Sequence, residues 1–249
     1  MTTHFDVDPT WAVGDKAHGG YLLRQAVEAA LDDPHPHPLA VSAHYLSPPE
    51  VAPVEVSVTR VRTGRRVATS HVSLAQAGAA RVEVLLSAGT LAAGEPHWRS
   101  DEGRPALPPL EDCPRSPAEN PLGITVGYLD HIDLRLDPAT AQWAAGKPSG
   151  HARVSGWVRR DDGADAGPLD LLVFADALPP VTFDLGIYSW APTLELTVHL
   201  RALPASGWLR VTQRARWLQD GWLDEECEIW DGDGRLVCQA RQLAGYRLE

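Results

Sequence analysis

The sequence predicts an α+β fold in which one plan, a helix followed by an antiparallel sheet, is laid down twice. Three observations carry this expectation. Residues 1–91 hold a stretch of helical periodicity and then four stretches of period-two alternation. The same order of patterns returns in residues 122–249. Between them, residues 92–121 carry Pro105, Pro108, Pro109, Pro114, Pro117 and Pro121 with scattered acids and no periodicity, as a linker or an irregular covering segment would. In each copy a long helix is expected to be wrapped by a curved antiparallel sheet.

The elements follow in order. Residues 19–33 (GGYLLRQAVEAALDD) read as a helix, with Leu23, Ala26, Val27 and Ala30 at i, i+3, i+4 and i+7, a Gly pair before it and Pro34 after it. LAVSAHYL (39–46), VEVSVTRVRT (54–63), RVATSHVSLAQ (66–76) and ARVEVLLSAG (80–89) read as strands. Val56 and Val58 mark a buried face against Glu55, Ser57 and Thr59 on a wet one. In the second half 150–163 reads as a strand with a turn and 168–180 (PLDLLVFADALPP) as a helix. Residues 193–203, 207–221, 222–232 and 234–248 read as strands. Matching residues support the duplication: His44-Tyr45-Leu46 with His199-Leu200-Arg201, Gly64 with Gly221, and LLSAG (85–89) with RQLAG (241–245).

Composition narrows the function. A net charge of −11 argues against non-specific binding to nucleic acid, and an anionic substrate would need a local basic patch. No apolar run reaches the ~18 residues of a membrane span, so no stable membrane insertion is expected. The N-terminal MTTHFDVDPTW lacks a basic segment and apolar core, and a cytoplasmic protein is expected. Cys113, Cys227 and Cys238 have no metal-ligand or redox spacing. If DGDG (231–234) centres a hairpin turn, Cys227 faces Cys238, and two small buried thiols suit a reducing compartment better than a bridge. DGDG lacks the remaining ligands of a calcium loop, and nothing calls for a metal or an organic cofactor. Edge strands and the tryptophans point to a homo-oligomer, a dimer or higher.

Two polar residues stand where the pattern is apolar. Asp176 lies inside the LLVFADALPP helix, where an unpaired carboxylate costs several kcal/mol or changes its pKa. Period-two counting from Leu236, Cys238 and Ala240 turns Gln242 inward, where a carboxamide needs partners. An ion pair with an arginine would give Asp176 a purely structural role, and backbone groups would do the same for Gln242.

The residues as a set resemble the type II (TesB-like) acyl-CoA thioesterases. AHGGYLLRQAVEAAL, SAHYLSPPE and TRVRTGRRVATSHV resemble that family's first half; LLVFADALPP, PTLELTVHLRALP and GRLVCQARQLAGYR resemble its second. The resemblance implies a double hot-dog fold, an acyl-CoA substrate and a catalytic set of Asp176, Thr193 and Gln242. His18 and Tyr21 depart from the aromatic and the glutamine that flank the Gly pair in many relatives. His18-Gly19-Gly20 is reminiscent instead of single hot-dog thioesterases, where a Gly amide at the helix start polarises the thioester carbonyl.

The chemistry implied is attack by a water that Asp176 deprotonates while Thr193 and Gln242 orient it, with the oxyanion met by the backbone N–H groups of Gly19 and Gly20. His18 is a further candidate near the substrate, and Arg65 and Arg66 are candidates for the CoA phosphates. Thr193 raises a difficulty, because alternation with Leu194, Leu196 and Val198 sends it outward with Glu195 and Thr197. It reaches the site only from the first strand position after Pro192 or through a bulge. Two other classes compete: a non-catalytic acyl-CoA or fatty-acyl binding module, for which a buried carboxylate serves no purpose, and a dehydratase or hydratase of the same fold, which usually needs a paired His and acid that neither helix offers.

Overall fold

The computed structural model describes residues 1–99 and 104–248. The strands, in chain order, are β1 (Thr2–Asp6), β2 (Ala12–Val13), β3 (Lys16–Ala17), β4 (His37–Tyr45), β5 (Pro53–Thr63), β6 (Ala68–Gln76), β7 (Ala79–Gly89), β8 (Ile132–Leu136), β9 (Arg153–Arg160), β10 (Thr193–Leu200), β11 (Leu209–Arg214), β12 (Leu218–Gln219), β13 (Trp222–Trp230) and β14 (Leu236–Gly245). The α-helices are α1 (Gly19–Glu28) and α2 (Pro168–Phe174). Twelve strands form one antiparallel sheet in the order β1-β5-β6-β7-β4-β10-β14-β13-β11-β9-β8, with β12 beside β13, while β2 and β3 form a separate ribbon. The two halves meet where β4 pairs with β10, Val41 opposite Val198 and Ala43 opposite Leu196.

Alternation explains the layers. Val41, Val56, Val72, Val84 and Leu86 from the first half, and Val154, Val158, Leu196, Val198, Val211 and Ile229 from the second, point to one face of the sheet. Against that face lie Leu22, Leu23, Ala26 and Val27 of α1 and Leu171, Leu172, Val173 and Phe174 of α2, all buried. The helices also pack on each other, and Gly20 makes that possible: a Cβ there would stand 3.0 Å from the backbone carbonyl oxygen of Leu172.

Both helices are shorter than the sequence pattern suggests, ten and seven residues, so the expected long helices are corrected. α1 stops before Pro34, which disfavours helical backbone at Asp33, and Asp32 turns the chain by accepting the N–H of His35 on its carbonyl (2.9 Å) and its carboxylate (3.2 Å). α2 stops short of Pro179-Pro180; its end tightens as the N–H groups of Asp176 and Ala177 bond the carbonyls of Val173 (3.1 Å) and Phe174 (3.3 Å). Asp176 therefore lies just past the helix, not in its middle.

Three further differences have local causes. The strand expected over 207–221 breaks into β11 and β12, and the turn after β12 holds Asp220 and Gly221 at φ 53° and 82°. β8 escapes pattern reading because Asp133 is buried beside Arg135 and Arg159, which blurs its alternation. The outer edge of β8 is covered by the Pro-rich segment, where Ser116 donates to the carbonyl of Leu134 (2.7 Å); residues 100–103 of that segment lie outside the described residues. Finally, the turn is closed between Asp231 and Arg235 and a bulge follows at Ile229/Trp230, so Cys227 pairs with Ala240 and Cys238 with Ile229 rather than with each other. All three cysteines are free and buried.

The packing yields a direct test. Leu172→Ala removes a fully buried side chain at the helix junction and should cost about 2–5 kcal/mol in urea unfolding. Leu85→Ala, on the outer face with 52% exposure, should stay within about 0.5 kcal/mol of wild type.

Candidate active site

The site is assembled at the N-terminal end of α1. His18 caps the helix in extended backbone conformation, its Nδ1 accepting the N–H of Tyr21 at 3.3 Å. That use of Nδ1 puts the ring proton on Nε2, which donates to the backbone carbonyl of Asp176 at 2.9 Å. Both ring nitrogens are thus committed to holding the start of α1 against the end of α2. The ring also lies on Tyr128, centroids 4.2 Å apart, and the Tyr128 hydroxyl donates to the carbonyl of Ala177 at 2.8 Å.

Asp176 enters the same junction with its side chain 15% exposed. Its Oδ2 accepts the N–H of Gly20 at 2.7 Å, at the positive end of the α1 dipole. Oδ1 has no hydrogen-bond partner among the described residues, and Asp176 forms part of a cavity wall. Burial pushes the carboxyl pKa upward, opposed by His18 and by the Gly20 N–H. A Cβ at Gly19 would stand 2.8 Å from Oδ2 and 3.2 Å from the Tyr45 hydroxyl, so both glycines are required for this approach. Tyr45 donates to the carbonyl of Gly19 at 3.0 Å; burial, and then the charge of Asp176, hold its phenol protonated.

Thr193 and Gln242 come to the cavity from β10 and β14. The first residues of β10 are bulged: Thr193 pairs with Ala244 and Glu195 with Leu243, leaving Leu194 as the extra residue. The bulge reverses the parity of Thr193 and brings it to the inner face, two positions along from Gln242. Its hydroxyl donates to Gln242 Oε1 at 2.9 Å. Neither residue bonds Asp176 directly; all three line one cavity of ≈ 380 Å³. Its walls are rich in aromatic and proline side chains, among them Tyr128, Trp143, Phe183, Trp190, Pro49 and Pro180, and the Pro-rich segment adds Ser116, Pro117 and Asn120.

Two expectations change. Gly20 has spent its N–H on Asp176, so only the N–H of Gly19, with no acceptor among the described residues, is available to an oxyanion. Arg65 and Arg66 do not line the cavity. They follow Gly64, whose carbonyl bonds His35 beyond the C-terminal end of α1, and the helix between is about 15 Å long. The cation on the cavity wall is Lys16, 3.1 Å from Asp15 and 3.9 Å from Glu50.

Sequence reading also missed the second acid in the cavity wall. Glu225, 2% exposed, lines the cavity and accepts the N–H of Val181 at 2.8 Å and the Nε2 of Gln242, with Gln213 lining the same cavity. Burial raises its pKa, and the charge of Asp176 adds to the rise. The signal was present: in WLDEECEIW the inward positions are Leu223, Glu225, Cys227 and Ile229, three apolar and one charged. Among the described residues no group of three His, Cys, Asp or Glu side chains is placed to hold a metal ion, and no helix is long and apolar enough to cross a membrane.

Comparison with known proteins agrees over nearly the whole chain. Residues 7–91 match the acyl-CoA thioesterase N-terminal domain and residues 110–246 the acyl-CoA thioesterase C-terminal domain. An uncharacterized protein of Mycobacterium tuberculosis is 32% identical over 262 residues, covering 96% of this chain and 89% of its own. A candidate thioesterase II of Thermobifida fusca superposes with a TM-score of 0.89 at 33% identity, over 99% of this chain and 92% of that one. A hot-dog-fold protein of unknown function from Alicyclobacillus acidocaldarius gives 0.86 at 22% identity, over 100% and 94%. The acyl-CoA thioesterase II TesB2 of Mycobacterium marinum gives 0.69 at 20% identity, over 93% and 89%. At these lower identities the likeness speaks for a hot-dog fold alone. With both domain models matched in order, the chain belongs to the type II, TesB-like acyl-CoA thioesterase family.

Proposed function

We propose that this protein hydrolyses the thioester of an acyl-CoA, with Asp176 as general base toward a water oriented by Thr193 and Gln242. The observation that carries the reading is the buried Asp176 carboxylate, fixed through Oδ2 and open through Oδ1 to the cavity that Thr193 and Gln242 also line. A raised carboxyl pKa makes a stronger base than a free aspartate, and the Gly20 bond keeps it aligned. The thioester carbonyl would meet the free N–H of Gly19, and the acyl group would lie along the apolar wall. Hydration chemistry finds less support, because both nitrogens of His18 already hold the helix junction. In the same reading, residues 1–91 and 122–249 are tandem hot-dog units and 92–121 covers the active cavity.

Free-thiol release from acyl-CoAs of two to eighteen carbons and from aromatic acyl-CoAs tests the proposal. Asp176→Asn keeps the shape and removes the base, and kcat should fall at least ~100-fold. Equal turnover in the variant would return Asp176 to a structural role; binding without turnover in wild type would favour a binding module. Gly20→Ala, which places a Cβ 3.0 Å from that of Asp176, should lower kcat by ~10-fold or more through misalignment.

The raised pKa also predicts opposite pH trends. Activity should be lost as pH falls through the Asp176 pKa, at a pH above that of an ordinary carboxylate. The folded protein holds this proton more tightly than the unfolded chain, so its contribution to stability is complete below the unfolded pKa and disappears as pH rises through the folded one. Asp176→Asn abolishes that loss, and thermal unfolding at neutral pH should show the variant at least as stable as wild type.

A further inference from the structure

Glu225 has no part in the mechanism above, yet it is the more deeply buried of the two cavity acids. Its neighbours on β13 are paired conventionally: Asp224 with Arg241 at 2.7 Å, Glu226 with Arg214 at 3.1 Å and Arg216 at 3.3 Å. No arginine or lysine reaches Glu225 among the described residues. Its partners are two neutral donors: the Val181 N–H and the Gln242 carboxamide. An internal carboxylate served only by neutral donors is costly, and a hydrophobic residue would fill the position at lower cost.

What the charge accomplishes follows from hydrogen-bond direction. Glu225 stands directly opposite Gln242 in the β13–β14 ladder. An ionised carboxylate only accepts, so Gln242 must turn its NH2 to Glu225 and its Oε1 to Thr193. Thr193 then has to donate to Gln242, as it does at 2.9 Å, which leaves the lone pairs of its oxygen for the cavity. The second N–H of Gln242 remains a donor. In the thioesterase reading, a water between the three groups would give its two protons to Asp176 and Thr193 and receive one N–H from Gln242. Its other lone pair is free to attack the thioester carbon. With the carboxamide reversed, Gln242 would donate to Thr193, Thr193 would donate to the water, and the water would lose the acceptor that orients its second proton.

We propose that Glu225 is a positioning residue that locks the Gln242 carboxamide in one of its two orientations and thereby sets the direction of the hydrogen bonds offered to the attacking water. The catalytic consequence rests on the thioesterase reading; the lock itself does not.

Glu225→Gln is the test. The single oxygen of the new carboxamide keeps the Val181 N–H, so its NH2 faces Gln242 and favours the reversed orientation. We expect kcat to fall ~10-fold or more, as for a displaced catalytic group, with KM for the acyl-CoA within about twofold. In a Gln242→Ala background the same change should alter kcat by less than about twofold, because the effect passes through Gln242. The side-chain amide signal of Gln242 in a nitrogen–proton NMR spectrum, assigned by its loss in Gln242→Ala, should move in Glu225→Gln. Glu225→Asp, which draws the carboxylate back from Gln242, serves if Glu225→Gln does not fold, with a smaller loss of kcat that again vanishes in the Gln242→Ala background. Equal losses of kcat in both backgrounds, or an unchanged kcat with an unmoved amide signal, would overturn the proposal. A wild type without turnover would sink the thioesterase reading and leave the lock to be decided by the amide signal: a signal that moves supports it, and one that does not overturns it.

Discussion

The site depends on one hydrogen bond, from the Gly20 N–H to the Asp176 carboxylate at 2.7 Å. It joins the first helix to the segment after the second. The glycine pair, the cap by His18 and the short second helix all serve that approach. Glycine is needed because a side chain at position 20 would meet Asp176, His18 and the Leu172 carbonyl at once. The same bond makes the buried carboxylate tolerable, since it offers a backbone donor at the positive end of a helix where water has been excluded. It satisfies one oxygen and leaves the other to the cavity.

Much of this was legible in the sequence, for physical reasons that can be named. Strands whose two faces differ, such as β5 with Val54 and Val56 inward and Glu55 outward, show themselves by alternation. Asp176 and Gln242 stood out because each breaks an apolar pattern. Other features depend on tertiary structure. The helix ends are set by prolines and by side-chain turns that periodicity cannot weigh. The bulge that brings Thr193 inward reverses the parity on which any alternation argument relies. The loss of the Gly20 N–H as an oxyanion donor follows from a partner 156 residues away. The distance of Arg65 and Arg66 from the cavity follows from which end of α1 their hairpin meets. Glu225 was legible and overlooked: four acids in WLDEECEIW look like one solvated run until inward and outward positions are counted apart.

Two acids share the cavity with no arginine or lysine beside Glu225 among the described residues, and burial raises the pKa of both. This arrangement works against stability wherever both must ionise. It is sustained by the apolar mass around it, with Phe174, Leu172, Leu196 and Leu223 all fully buried. The cavity acids are held by neutral donors fixed in the backbone or in the sheet, so their geometry is less exposed to salt than that of surface ion pairs.

The seam between β4 and β10 has a consequence for how such a chain is made. Neither strand is an edge while the halves are joined, and the inner residues of both, Val41, Ala43, Leu196 and Val198, are apolar. During synthesis the first half emerges with one edge of β4 bare, the other being paired with β7, until β10 arrives more than a hundred residues later. In that interval β4 is a ready template for any extended segment, including the same strand of a neighbouring chain. On the tandem reading proposed above, a single chain exchanges a concentration-dependent encounter between two subunits for a delay within itself. The polar residues on the other face of β4, Ser42 and His44, are what keep the waiting edge soluble on that side.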